Sequence, residues 1–214
     1  MKKLCLITAV VICFYYNSYA QTDVENKIDA AVKSLKEQGV NTIISFHPYC
    51  VGCITTWSDT SKSACHSADL QYLIWTKDNQ NFIQLFDQCY EYQPLIGVVT
   101  HFIAIYDEHL QEILKEEIKP VAYNILVDGK EQIFESSIDH DFHHDFLFYL
   151  ETGKVAKPMQ DYYLNNRFEG DFSNRPNTAS KPINVNYQYN QKTYLKKLLD
   201  ELDKDLKYAR FMKS

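Results

Sequence analysis

Glycine is scarce in this chain. Six glycines in 214 residues leave no glycine-rich run from which a phosphate-cradling loop is built, which excludes Walker-type and dinucleotide-type sites. Basic residues are also few, with 22 Lys and Arg against 28 Asp and Glu. They cluster only toward the C-terminus, where acids match them, so the backbone of a nucleic acid meets no complementary surface, nor does an anionic membrane. No apolar run reaches the roughly 20 residues that span a bilayer. Neither GxSxG nor HExxH occurs, so the familiar serine-hydrolase and zinc-protease signatures are missing. Glycosidase chemistry needs two acids at no fixed sequence spacing, and nothing here marks such a pair.

The sequence does contain an N-terminal targeting pattern. Met1-Lys2-Lys3 is a positive start, Leu4 to Tyr16 is uncharged and mostly apolar, and Ser18-Tyr19-Ala20 has the small-x-small form of a cleavage site. Residues 1–20 therefore read as a signal peptide, and 21–214 as one exported domain without a membrane span, destined for a periplasm, the cell surface or the exterior. Removing Lys2 and Lys3 lowers the bases from 22 to 20 against 28 acids and takes the net charge to −8. Of six cysteines, Cys5 and Cys13 leave with the signal peptide. Cys50, Cys53, Cys65 and Cys89 remain, an even number that in an oxidising compartment points to two disulfides with three possible connectivities.

Hydrophobic spacing places the elements. Val24, Ile28, Ala31, Val32 and Leu35 share one face of a helix over 24–38, with Gly39 as its C-terminal cap. The β-branched run 40–46 predicts a buried strand ending at His47-Pro48. Two alternating segments, 69–76 and 81–88, flank Lys77-Asp78-Asn79-Gln80 and predict a β-hairpin. Pairing Lys77 with Gln80 sets Trp75 against Phe82 and Tyr72 against Leu85, and brings Cys89 opposite Ala68, near Cys65. A helix over 102–118 stops before Pro120, and 121–127 with 131–135 suggest a second hairpin around Asp128-Gly129-Lys130. Residues 137–150 carry both helical and strand spacing, and their aromatic density favours the strand, followed by a turn into 154–163. Residues 165–190, rich in Asn, read as a long surface loop, and Tyr194 to Leu206 as an amphipathic helix. About three amphipathic helices with antiparallel hairpins, and no regular alternation of strand and helix, predict an α+β fold stapled by disulfides.

Several constellations are candidates for chemistry. Cys50-Val51-Gly52-Cys53 follows a strand and an aromatic residue, and this segment of about fifteen residues resembles the active-site segment of thioredoxin-fold oxidoreductases. The resemblance implies a reactive Cys50 at a helix N-terminus and a resolving Cys53. The chain departs from that family downstream, where a polar stretch and a hairpin replace the long helix and no suitable proline faces the cysteines. Cys50, Cys53, Cys65 and His66 are metal-capable, but the adjacency of the last two suits one tetrahedral zinc poorly. In Asp139-His140-Asp141-Phe142-His143-His144-Asp145, His140 and His144 share a face in helix or strand, and with Asp141 they offer ligands for Zn²⁺ or Cu²⁺. Tyr162, Tyr163, Phe168, Phe172, Tyr187 and Tyr189 form a candidate surface for a peptide or carbohydrate. With no complete catalytic motif, the reading that follows is a non-enzymatic binding or structural domain recognising a protein, peptide or carbohydrate. A thiol-disulfide oxidoreductase and a His-based metal binder are the alternatives.

Overall fold

The computed structural model describes residues 23–52, 70–166 and 183–213. The signal-peptide segment, Cys53, Cys65, Ala68 and the centre of the Asn-rich stretch with Phe168 and Phe172 lie outside them. The fold is mixed α+β with antiparallel sheets. Helix α1 (Asp23–Glu37) is followed by β1 (Ile43–Val51), β2 (Gln71–Lys77), β3 (Gln80–Phe86), β4 (Leu95–Ile96) and α2 (Thr100–Lys115). Then come β5 (Val121–Val127), β6 (Lys130–Ser136), β7 (Asp141–Leu150), β8 (Gly153–Lys157), the single turns α3 (Asp161–Leu164) and α4 (Tyr187–Asn190), and α5 (Tyr194–Tyr208).

Six strands form one antiparallel sheet in the order β4-β3-β2-β1-β7-β8, while β5 and β6 pair separately. Strand alternation gives the large sheet two faces, and each is covered. On one, Ile43, Leu73, Trp75, Phe86 and Tyr149 pack under Val24, Ile28, Val32 and Leu35 of α1. On the other, Ile44, Phe46, Ile74, Ile83, Phe146 and Phe148 meet Phe102, Ile103, Tyr106 and Ile113 of α2 and Leu195, Leu198, Leu199 and Leu202 of α5. The sheet is thus the middle of three layers, and burying both faces is the main favourable term that holds them together.

The local expectations hold where the signal is local. Gly39 has φ +78°, and its N–H bonds Lys36 O at 3.0 Å while Val40 N–H bonds Leu35 O at 3.1 Å, the paired bonds of a glycine-capped helix end. The β2–β3 register pairs Lys77 with Gln80, Trp75 with Phe82 and Tyr72 with Leu85, as read from the sequence. Asp78 and Asn79 take φ of 51° and 58°, the mirror-image turn that matches strand twist in two-residue hairpins. β5 and β6 pair in the second hairpin, and 141–150 is a strand.

Three boundaries differ. β1 does not end at His47-Pro48; it begins at Ile43 and runs through Pro48 and Cys50 to Val51. Its pairing with β2 stops at Phe46, whereas its pairing with β7 continues to Val51. Beyond Phe46 the strand is an edge among the described residues, the setting in which a proline costs a sheet no ladder bond. Helix α2 begins at Thr100, bends at His109 (φ −123°, ψ 22°) and ends at Lys115, short of the expected 118. The described end of the Asn-rich stretch is packed, with Asn184 and Asn190 both buried.

Beyond β3 the chain is tied back to α1. Lys27 Nζ donates to the carbonyls of Asp87 and Gln88, each at 3.1 Å. The buried Asp87 carboxylate accepts from Cys89 N–H at 2.8 Å, from Tyr90 N–H and from the Tyr92 hydroxyl at 2.9 Å. This turn fixes Cys89 at the base of the β2–β3 hairpin. Among the described residues no helix is long and apolar enough to cross a membrane.

Candidate functional site

The α1-facing side of the sheet changes character along β1. Ile43 is buried under the helix, but the next residues on that face are Ser45, His47 and Tyr49. The β1–β7 register sets His47 opposite Asp145 and Tyr49 opposite His143. Continued by one position, the β1–β2 register brings Gln71 beside His47 on the other side. Gln71, His47 and Asp145 therefore make a polar row across three adjacent strands.

This row and the start of α1 enclose a cleft of about 310 Å³. Ser45, His47, Gln71 and Asp145 line it from the sheet, Glu25, Ile28 and Asp29 from α1, and Tyr149 and Lys154 from the far side. Gln71 is only 6% exposed and Ser45 7%. Asp145 is divided between two surroundings: Oδ2 accepts from the Tyr49 hydroxyl at 3.2 Å, while the buried Oδ1 has no hydrogen-bond partner among the described residues. Buried polar atoms are usually bonded, because leaving one without a partner costs about 1–3 kcal/mol. Here one such atom, Asp145 Oδ1, borders the cleft.

Tyr49 is stacked between His47 and His143, with ring centroids 4.7 and 4.9 Å away. Burial, then the charge and hydrogen bond of Asp145, push its pKa from the usual 10.0 up to about 12. Burial also raises Tyr149, partly offset by a hydrogen bond from Ser45 and the charge of Lys154. A folded-state pKa above the unfolded value favours folding below the unfolded pKa, and that contribution disappears as pH rises through the folded value. A spectrophotometric titration is therefore expected to show Tyr49 ionising near pH 12, with stability lost between about pH 10 and 12. Burial raises Tyr106 to about 12 as well, so Tyr49→Phe should reduce the late component by one phenol. An undiminished late component would show that Asp145 does not hold the Tyr49 phenol.

The sequence-predicted site residues fall elsewhere. Cys50 is a strand residue paired with Phe142, not the first residue of a helix, so the setting implied by the thioredoxin-like segment is corrected at that position. The helix dipole that lowers a thiol pKa in such motifs therefore does not start at Cys50. Gly52 follows at φ +70°, and a Cβ there would stand 2.3 Å from Cδ2 of His140, so glycine is needed both for the turn and for the His140 ring.

His144 is turned to the opposite face, stacked on Phe46 at 6.0 Å with Nε2 2.9 Å from Asp161 Oδ1. Asp141 Oδ2 accepts from Tyr162 N–H at 2.8 Å, at the start of α3. His140, His144 and Asp141 thus each have a separate neighbour, and among the described residues no group of three or more His, Cys, Asp and Glu side chains is arranged to hold a metal. Of the aromatic candidates, Tyr162 is buried with Val121 and Tyr123 and is core rather than surface, while Tyr189 is exposed and carries Lys119 Nζ at 4.1 Å from its ring.

Sequence reasoning missed the polar row. Its one local trace is the alternation Ser45, His47, Tyr49 within a strand that is otherwise apolar. Its other half, Asp145, bonds Tyr49 across 96 positions of sequence, and no local signal carries that pairing. The chain matches no protein-family model, no curated protein and no solved structure.

Proposed function

We propose that this chain is an exported, non-enzymatic binding domain that takes a small polar ligand in the cleft between α1 and the sheet. The observation that carries the reading is Asp145 Oδ1, a buried carboxylate oxygen with no hydrogen-bond partner among the described residues, in the wall of a cleft of about 310 Å³. That volume lies at the small end of the range for ligand sites, which typically combine an apolar lining with a few convergent polar groups. A ligand donor that bonds this oxygen offsets the cost of its burial. The signal-peptide pattern supports export, to a periplasm, the cell surface or the exterior.

Two disulfides drawn from Cys50, Cys53, Cys65 and Cys89 staple the domain in this proposal, each contributing about 2–4 kcal/mol. Cys89 sits in the turn after β3, at the end of the hairpin where β2 begins, and Cys65 precedes β2 by six residues of sequence, which supports a link between them. Non-reducing peptide mapping after thiol alkylation is expected to find none of the four alkylated. Alkylation of any of them in the exported protein would remove the staple.

The binding reading is tested by amide NMR with benzamide, imidazole and benzyl alcohol at millimolar concentration. Shifts confined to Ser45, His47, Gln71 and Asp145 are expected from at least one probe, and Ala156→Trp, at the exposed rim, should abolish them. Shifts from none of the three at those residues would overturn the reading.

A further inference from the structure

Strand β8 closes the six-stranded sheet at the end opposite β4, and among the described residues no strand or isolated bridge pairs with its outer edge. The phase of its ladder with β7 is fixed further along the same pairing, where His144 N–H donates to Met159 O at 2.9 Å and Met159 N–H to His144 O at 3.2 Å. Opposed antiparallel residues alternate between exchanging both bonds and exchanging none. Phe146 with Lys157 and Phe148 with Val155 are therefore bonded pairs, whereas Leu147 with Ala156 and Tyr149 with Lys154 are not. The N–H and C=O groups of Lys154 and Ala156 thus point away from β7 along the open edge, where both residues are exposed. Lysines usually guard such an edge against another strand. The two lysines of β8 are drawn inward instead: Lys154 Nζ is 3.1 Å from Asp29 of α1, and the buried Lys157 donates to Glu116 O at 2.7 Å. The opposite edge is protected by brevity, since β4 is only Leu95–Ile96.

We propose that β8 is a docking edge for an extended peptide segment of a partner protein, which adds an antiparallel strand beside Lys154 and Ala156 and sets an acidic side chain next to Lys154. The proposal goes beyond the small ligand of the cleft and does not require it. In strand addition, main-chain bonds supply affinity and the surroundings of alternate side chains supply selectivity. Lys154 and Ala156 offer two donors and two acceptors at a spacing of two residues, which alternate residues of an antiparallel strand satisfy. The side chains of those alternate residues lie on the sheet face that α1 covers. One meets Ala156 at the rim of the cleft. The other lies beside Lys154, where Lys33, Lys36 and Lys154 line a shallow depression with Val32, Asp29 and Glu37. Three ammonium groups face two carboxylates there, one of them already held by Lys154, so an acid complements the position. Pro158, next in the same outward phase, has no N–H and ends the run of donors.

The experiment uses the full protein and an acetylated, amidated peptide, Thr-Val-Thr-Val-Glu, titrated by amide NMR at low salt. Shifts at Lys154 and Ala156 are expected, with slowed hydrogen exchange at both amides. Lysine in place of the glutamate should weaken binding about two- to fivefold, and added salt should narrow the difference. The same peptide N-methylated at the glutamate and at the threonine two residues before it lacks the N–H groups aimed at β8, and should bind at least about tenfold more weakly. Ala156→Pro removes an N–H that β7 does not use and should weaken the parent peptide about tenfold. Absence of shifts at Lys154 and Ala156, or equal binding of the parent and N-methylated peptides, would overturn strand addition, and neither result depends on how Ala156→Pro folds. A lysine peptide that binds as tightly as the parent would overturn the acidic preference. Shifts at the two amides that grow with protein concentration in the absence of peptide would assign the edge to a second copy of this chain and overturn the partner peptide. Benzamide, imidazole or benzyl alcohol acting at Ser45, Gln71 and Asp145 while the peptide leaves β8 unmoved would overturn strand addition alone.

Discussion

Phe146→Ala is expected to lower the unfolding free energy by about 3–5 kcal/mol, the range for deleting a fully buried aromatic ring. Phe146 has no exposed surface and joins three elements: its ring centroid is 4.8 Å from Phe46 of β1, 5.8 Å from Phe102 of α2 and 5.9 Å from Phe148 of β7. Truncation removes the contacts of all three, and the surrounding strands are held in register too firmly to collapse into the gap. Against a total stability of about 5–15 kcal/mol for a domain of this kind, the loss is large enough to be read as a clear drop in the urea midpoint. Phe142→Ala is the control. It alters the same face of the same strand two steps of alternation further out, where the ring is 53% exposed, and should change stability by no more than about 0.5 kcal/mol. Equal midpoints for the two variants would mean that the sheet and α2 do not meet at Phe146.

Asn190→Ala is expected to cost about 2–4 kcal/mol, although it removes little apolar surface. Asn190 is completely buried. Its Oδ1 accepts from Lys119 N–H at 2.9 Å, and its Nδ2 donates to Lys119 O at 2.8 Å and Tyr163 O at 2.9 Å. One side chain thus satisfies three backbone groups from two distant segments, and the alanine variant leaves all three without that partner. Asn190→Asp should be about as damaging, because a carboxylate has no donor for the two carbonyls. Gln188→Ala, two residues away and exposed, should be near neutral. Urea unfolding combined with hydrogen exchange at Lys119 reads both effects. Unchanged exchange at Lys119 in Asn190→Ala would show that the clasp does not secure the entry to β5.

Asn184 performs the same kind of task one turn earlier. Its Oδ1 accepts from Ala122 N–H at 3.2 Å and from Asn186 N–H at 3.0 Å, while Asn186 Nδ2 donates to Pro120 O at 2.8 Å. Composition alone made this stretch a surface loop, since Asn favours turns and exposed positions. An asparagine that bonds backbone from another part of the chain has the same letter as one that faces water. Only the position of 119–122 distinguishes them.

The candidate site divides in the same way. The hairpin register that pairs Gln71 with Phe86 was legible, because a two-residue turn between alternating segments fixes the pairing of every residue behind it; the pairing that sets β2 beside β1 was not. The continuation of β1 past Pro48 was not, because whether a proline ends a strand depends on which neighbour would have received its missing N–H. The Cys50-x2-Cys53 motif drew attention to the right strand for a different reason. The residues that shape the cleft are on the face of β1 that does not carry Cys50.

What the sequence by itself determined is local: the amphipathic helices α1 and α5, the β2–β3 hairpin with its register, the existence of a second hairpin, the glycine cap at Gly39 and the α+β class. Each follows from a repeat of two or about 3.6 residues, or from a turn whose φ only certain residues adopt. The tertiary structure alone decided that β1 lies between β2 and β7, that α1 covers one face of the sheet and α2 with α5 the other, and that Asp145 borders a cleft with Gln71. Those outcomes depend on burying two apolar faces at once, and that term rewards any pairing that removes the surface from water, so it leaves no periodic trace in the chain.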